Sequence, residues 1–304
     1  MLHPHHLRDL TLDAAAHPRG QPHLSSASGL VQVGGWLYVI ADDEHQIGMF
    51  DASQPATSPL RLHSFLPHDL PHDKAERKKR KPDVEALALL PPSDANPHGA
   101  LLAVGSGSKP NRQLAFMLSV DAGGAINADA VTIDLAGLYA PLRSVFPDLN
   151  IEGAFAAGEC FRLLHRGNRG DARNACIDFT LDEVQHWLAG TRAMLPTCLG
   201  ITHFDLGHVD GVPFGFTDGT ESSGGDWVFS AVAEDTADSY RDGVCRASAI
   251  GWVGKDGTLQ RMESIAGAPK VEGIASTAGG RLLMVTDTDD PDTASALLDS
   301  DTTA

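Results

Sequence analysis

The chain has 304 residues, 42% of them hydrophobic and 21% charged, a length and balance that suit one closed all-β unit and exclude a disordered or fibrous chain. Its 40 acidic residues outweigh 23 basic ones, and the formal net charge of -17 repels a phosphate backbone and sets nucleic acid aside as a partner. No stretch approaches the ~18 uninterrupted apolar residues of a membrane span. Met1-Leu2-His3-Pro4-His5-His6 has no cationic region followed by an apolar one, so the expectation is a cytoplasmic chain with no membrane partner.

In chain order, short apolar runs bounded by Gly, Asp and Asn clusters follow one another, which is the all-β pattern. Leu7 to Asp13 is a first β-like run. Ser28-Gly29-Leu30 opens the next, then come Leu37-Tyr38-Val39-Ile40, the acids Asp42-Asp43-Glu44, and Ile47-Gly48-Met49-Phe50. The charge block from Asp73 to Lys81 is expected to be a solvated loop. Glu85-Ala86-Leu87 starts a second set, with Leu101 to Val104, the cluster Ser106-Gly107-Ser108, Leu114 to Met117 and Val131 to Asp134. A third set runs from Glu152-Gly153-Ala154 through Phe161 to Leu164 and Arg166-Gly167-Asn168. Leu181 to Leu188 has helical spacing and predicts a short inserted helix. The fourth set has Asp210-Gly211-Val212, Val228 to Ala231, Glu234-Asp235 and Ala249 to Trp252. The fifth has Glu272-Gly273-Ile274, Leu282 to Val285 and Asp287-Thr288-Asp289.

A polar residue, then Gly or Ala, then an apolar residue thus recurs at 28, 85, 152, 210 and 272, and such periodicity takes precedence over local motifs in assigning architecture. The intervals are all about 60 residues, and the stretch after Glu272 together with that before Ser28 makes one more. The expected fold is an all-β, five-bladed β-propeller, with blades near 23–80, 81–147, 148–207, 208–267 and 268–304 plus 5–16. The N-terminal strand would complete the last blade and cover an open edge.

In a propeller, the start of each innermost strand and the loop after the second strand reach the same mouth of the central channel. That gathers Glu85, Glu152, Asp210 and Glu272 with Asp42, Asp43, Glu234 and Asp287, and beside them Asp235 and Asp289. Like charges sharing a site need protons, basic partners or a metal. Calcium takes six to eight oxygen ligands at flexible geometry, and these acids come without the His and Cys that zinc favours. The alternative is that they cap backbone amides at the blade starts. Lys109, Asn111, Arg112, Arg166, Asn168 and Arg169 enter from the same loops and suit a small anionic molecule, or else pair with the acids. Glu85, Glu152 or Glu272 could act as the base for a water nucleophile, and His45 and His165 could move protons or be structural. Of the four cysteines, expected as free thiols, Cys160 and Cys176 could face each other on neighbouring strands.

Segments such as Pro82-Asp83-Val84-Glu85-Ala86-Leu87, Asn150-Ile151-Glu152-Gly153, Gly215-Phe216-Thr217-Asp218 and Lys270-Val271-Glu272-Gly273 resemble a bacterial β-propeller family without an assigned activity. The Glu-Gly strand starts are more distantly similar to those of phytase-like and esterase-like propellers. That resemblance implies a calcium-binding channel and phosphoester or carboxylester hydrolysis. Two functions follow as expectations, a calcium-dependent hydrolase of a small anionic ester, phosphoester or lactone, and a non-catalytic calcium-stabilised binding propeller.

Overall fold

The structure, a computed structural model, describes residues 1–66, 70–168, 170–236, 243–277 and 279–301. Arg169 lies outside the described residues. The first strand, β1 (His5–Asp9), is followed by a four-stranded antiparallel sheet of β2 (Ala27–Val33), β3 (Trp36–Ala41), β4 (Gln46–Asp51) and β5 (Arg61–Ser64). Helix α1 (Lys74–Arg80) leads into β6 (Val84–Leu90), β7 (Ala100–Gly105), β8 (Leu114–Ser119) and β9 (Val131–Asp134), and α2 (Ala136–Val145) leads out. The third sheet holds β10 (Ile151–Ala157), β11 (Cys160–His165), β12 (Asn174–Thr180) and, after α3 (Leu181–Leu188), β13 (Cys198–Phe204). The fourth holds β14 (His208–Val209), β15 (Val212–Ser223), β16 (Asp226–Glu234), β17 (Cys245–Val253) and β18 (Leu259–Ser264). In the fifth, β19 (Val271–Ser276), β20 (Arg281–Thr286) and β21 (Ala296–Asp301) accept β1 as the outer strand, His5 standing opposite Asp299. The fold is therefore the five-bladed propeller that the repeat predicts, closed by the N-terminal strand.

Strands with apolar residues on both faces need partners on both sides, and each blade finds them in its neighbours. Tyr38 and Ile40 pack with Leu101 and Phe116 between the first two blades, and Leu102 and Val104 with Ile151 and Leu163 between the next two. Leu164 meets Phe216 and Trp227, Val228 meets Ile274 and Met284, and Leu283 and Leu297 meet Leu10 and Leu37 to complete the ring. The core is thus a set of five interblade layers, and β2, β6, β10, β15 and β19 lie side by side around the axis.

Every axial strand carries a β-bulge, near its start in four blades and midway along the longer β15. The register slips between Ala27 and Gly29, Val84 and Ala86, Ile151 and Gly153, Phe216 and Asp218, and Val271 and Gly273. The extra residue at each slip is Ser28, Glu85, Glu152, Thr217 or Glu272, and a bulge re-aims its side chain. The next residue is small because the axial strands touch: a Cβ on Gly273 would stand 2.8 Å from the Gly29 backbone. The fourth blade places Asp218 there, and its carboxylate accepts N–H groups from Gly219 at 2.7 Å and Ile274 at 2.8 Å.

Three expectations need correction. Asp210 is not at the channel; with φ values of 51° and 78°, Asp210 and Gly211 make the exposed hairpin turn between β14 and β15, and Thr217 holds the bulge position instead. The charge block is helix α1, capped by the Asp73 side chain on the Glu76 N–H at 2.9 Å, with Arg77 and Lys81 buried. Cys160 stands opposite Thr180 and Cys176 opposite Leu164, so the two thiols do not face each other; all four cysteines are free. Among the described residues no helix is long and apolar enough to cross a membrane.

Candidate functional site at one mouth of the propeller

Three tiers of backbone converge on one end of the axis. The first is the bulged residue. The second lies two positions earlier, on the same side by strand alternation, and consists of Ser26, Asp83, Asn150, Gly215 and Lys270. The third is the residue after the second strand, whose N–H returns to the second tier: Asp42 to the Ser26 carbonyl, Ser106 to Asp83, Arg166 to Asn150 and Asp287 to Lys270, at 2.9 to 3.1 Å. In the fourth blade Gly215 pairs with Val232, and the ladder continues past Ala233, so Glu234 reaches over the mouth from a longer strand.

The tiers enclose a cavity of about 130 Å³ lined by nine carboxylates and six cationic side chains. Charge falls into two groups. Around Lys81, the ammonium bonds Asp42 and stands 3.2 Å from both Asp43 and Asp83; Arg112 holds the other Asp83 oxygen at 2.6 Å. Asp42, Asp83 and Glu85 bring carboxylate oxygens within 4.8 Å of one another. In the other group the Arg166 guanidinium bonds Glu234 and lies 3.4 Å from Glu152 and 3.8 Å from Glu272. Lys270 adds Asp289 at 2.6 Å, Glu272 at 3.4 Å and Asp287 at 3.6 Å. Arg166 reaches this position because Gly215 leaves room: a Cβ there would be 2.7 Å from the Arg166 Cγ.

Of the residues singled out from sequence, Asp42, Asp43, Glu85, Arg112, Glu152, Arg166, Asn168, Glu234, Glu272, Asp287 and Asp289 line this cavity. Lys109, Asn111, Asp210 and Asp235 do not. Lys109 precedes a 3-10 turn (Pro110–Arg112) that sends only Arg112 inward, and exposed Asn111 donates to the Lys79 and Lys81 carbonyls at 3.2 and 3.3 Å. Asn168 donates to Asp148 at 2.9 Å. His45 and His165 are buried outside the lining. His165 instead takes the Asn150 N–H on Nδ1 at 3.2 Å, and the Asn150 side chain donates to Glu152. Lys81, Asp83 and Lys270 were missed. Their signal is a charged residue two or four places before the bulged Glu, as in Lys81-Pro82-Asp83-Val84-Glu85 and Lys270-Val271-Glu272.

A family model described as "Family of unknown function (DUF6929)" matches residues 23–301. The chain belongs to that family. The DUF6929 chain is also similar to solved structures: the glutaminyl cyclase of Myxococcus xanthus at 14% identity and a TM-score of 0.46, with 98% of each chain covered, and a putative glycoside hydrolase from Parabacteroides distasonis at 10% and 0.48, with 99% of this chain and 93% of that one covered. A third is the Bacillus subtilis arabinanase Arb43A, at 11% and 0.44, with 91% and 94% covered. At such identities no activity passes from them to this protein. No curated protein matches the chain.

In this DUF6929 propeller the surplus of carboxylates over cations is resolved unevenly. Burial pushes the Asp42 carboxyl up to about 6, Glu152 to about 7 and Asp287 to about 8, against the pull of Lys81, Arg166 and Lys270 respectively. Burial and the neighbouring charges of Asp42, Asp83 and Glu152 drive Glu85 well above the usual carboxylate range. Burial acts the same way on Asp43 and Glu234, but their cationic neighbours outweigh it and hold both below that range. Lys81 and Lys270 stay firmly protonated, the surrounding acids overcoming burial. Burial lowers His165 to about 4, which leaves it neutral. The mouth can therefore give up protons near neutral pH and accept positive charge in exchange.

Proposed function

We propose that the mouth binds a divalent cation at Asp42, Asp83 and Glu85 and that the protein is a hydrolase of a small anionic ester, phosphoester or lactone. One observation carries this reading: a three-carboxylate cluster and a carboxyl tuned to about 7, Glu152, line the same cavity as the Arg166 guanidinium. Calcium suits the all-oxygen donor set, and when bound it supplies Lewis acidity toward the substrate oxygen. Lys81 occupies part of that donor set, so the cation must share Asp42 and Asp83 with its ammonium. Glu152 is the base: it takes a proton from water as the water oxygen attacks the ester, and it returns that proton to the leaving oxygen. Arg166 and Lys270 bind the substrate's negative charge. The free cysteines fit a cytoplasmic setting.

A second reading, a calcium-stabilised binding propeller without catalysis, is favoured by the engagement of Arg166 with three carboxylates, which leaves it few free donors. The test is a screen of phosphate esters, carboxylate esters and lactones with calcium, with chelator, and with Glu152→Gln. The hydrolase reading expects activity that both chelator and the substitution abolish. Calcium-dependent thermal stabilisation with no turnover of any ester would establish the binding reading in its place. Turnover indifferent to chelator and to Glu152→Gln would remove the mouth from both.

A further inference from the structure

The opposite end of the axis holds a second cavity that shares no lining residue with the charged mouth. Its volume is about 360 Å³, within the few-hundred-Å³ range of small-molecule sites. Its lining mixes apolar side chains, Leu30, Leu87, Leu89, Phe155 and Ile274 among them, with polar surface to which Gln32, Thr220, Glu221 and Ser276 belong. Between the two cavities the axial strands close on each other. A Cβ on Gly29 would be 3.0 Å from the Leu87 nitrogen and one on Gly153 3.2 Å from the Asp218 Cα, and the Asp218 carboxylate ties its own strand to Ile274.

The space exists because the blades are unequal. Two residues past the bulge, three blades place Leu30, Leu87 and Ile274 in the lining, whereas the fourth places Gly219 there and the third places Ala154, which is buried in the layer against the second blade. Two residues further, Ala156 again gives little volume, and Glu221 stands beside it at the opening. The Phe155 ring packs over Gly219, where a Cβ would meet it at 2.4 Å, and so forms one wall of the cavity. Glu221 is the one charged side chain in the lining among the described residues, and its Oε1 is held by the Gly158 N–H at 3.1 Å. A half-open cavity with apolar side chains along its wall and one exposed carboxylate at its opening complements a ligand with an apolar body and a cationic end.

We propose that this cavity is a binding site for small amines with an apolar or aromatic body, the ammonium meeting Glu221 and the body entering between Leu87, Phe155 and Ile274. The site does not depend on any activity at the charged mouth, and the experiment separates the two.

Calorimetric titration of the full chain with 4-phenylbutylamine tests it, with 4-phenylbutanol and 4-phenylbutyrate as comparators. Saturable one-to-one binding is expected, with the amine tightest and the acid weakest. Ala156→Phe, which fills the chamber, weakens the amine by about tenfold or more, a loss of about 1.4 kcal/mol. Ser276→Phe at the opening serves the same purpose if Ala156→Phe does not fold. Glu221→Gln brings the amine to the affinity of the alcohol, a drop of about fivefold for a solvent-exposed ion pair. Chelator and Glu152→Gln leave the titration unchanged. The proposal fails if the amine does not saturate at millimolar concentration, if filling variants bind as well as the parent, or if the acid binds as tightly as the amine. Loss of binding with Glu152→Gln would also overturn it, because the amine would then sit in the acidic mouth.

Discussion

Two positions at the mouth derive their identity from one close approach. Arg166 ion-pairs with carboxylates from the third, fourth and fifth blades, and it does so by lying across the backbone of Gly215. Replacing Gly215 by alanine puts a methyl 2.7 Å from the Arg166 Cγ and 2.8 Å from the Gly167 carbonyl. The guanidinium must shift away from Glu152 and Glu272, so the expected cost is about 1–3 kcal/mol from overpacking, read by urea denaturation. Gly200→Ala is the control, since nothing lies within 4 Å of a Cβ there, and it should change stability little. Equal effects of the two substitutions would mean that Arg166 does not depend on the space above Gly215. The same logic distinguishes Lys81 and Lys270 from ordinary surface lysines. Lys81 is buried and Lys270 half-buried among several carboxylates, and removing either would leave those carboxylates without compensation.

At the level of strands, closure rests on β1. It covers the β21 edge, and the segment that follows buries Leu10 in the layer between the fifth and first blades. Deleting residues 1–13 exposes an unpaired strand edge. The shortened protein should melt at lower temperature and self-associate on size-exclusion chromatography, and a synthetic peptide of residues 1–13 added in trans should reverse both effects. A truncated chain that stays monomeric with an unchanged melt would remove β1 from the closure. Much of this architecture was legible because a bulge leaves a sequence trace: a polar residue re-aimed toward the mouth, then a residue small enough for the neighbouring axial strand. Ser28-Gly29, Glu85-Ala86, Glu152-Gly153 and Glu272-Gly273 all show it. The fourth blade hid its own, because Thr217 is uncharged and Asp218 replaces the small residue, while Asp210-Gly211 imitates the pattern for a different reason, the positive φ of a hairpin turn. The mouth was legible as acidic, and of its cations Arg112 and Arg166 were read while Lys81 and Lys270 were not. Lys81 and Arg77 lie four residues apart and so share a helix face, which a capped start at Asp73 could have announced. Lys270 was read only as part of a resemblance. The second cavity left no local trace, since its lining is assembled from single positions on all five axial strands.

For the whole molecule, the imbalance at the mouth sets how stability responds to pH and to cations. The folded values of Asp42, Glu152 and Asp287, about 6, 7 and 8, lie above those of free carboxyls. The fold therefore favours their neutral forms, and the stability they contribute is fully present below the ordinary carboxylate range and is lost as pH rises through 6 to 8. Asp43 and Glu234 have the opposite sign. Held below the ordinary range, they contribute stability that is lost as pH falls through it. The two sets together place the maximum for the metal-free protein on the acid side of neutrality, with a decline toward alkaline pH. A divalent cation at the Asp42, Asp83 and Glu85 cluster replaces the lost protons. It should raise the melting temperature more at pH 8, where protons are scarcer, than at pH 5, where protons compete for the same oxygens. Thermal melts from pH 4 to 9, with calcium and with chelator, check this. Converging curves in acid and separated curves in base are expected. A calcium effect equal at both ends, or a chelated protein that gains stability from pH 5 to 8, would show that the carboxylates at this mouth do not exchange protons for metal.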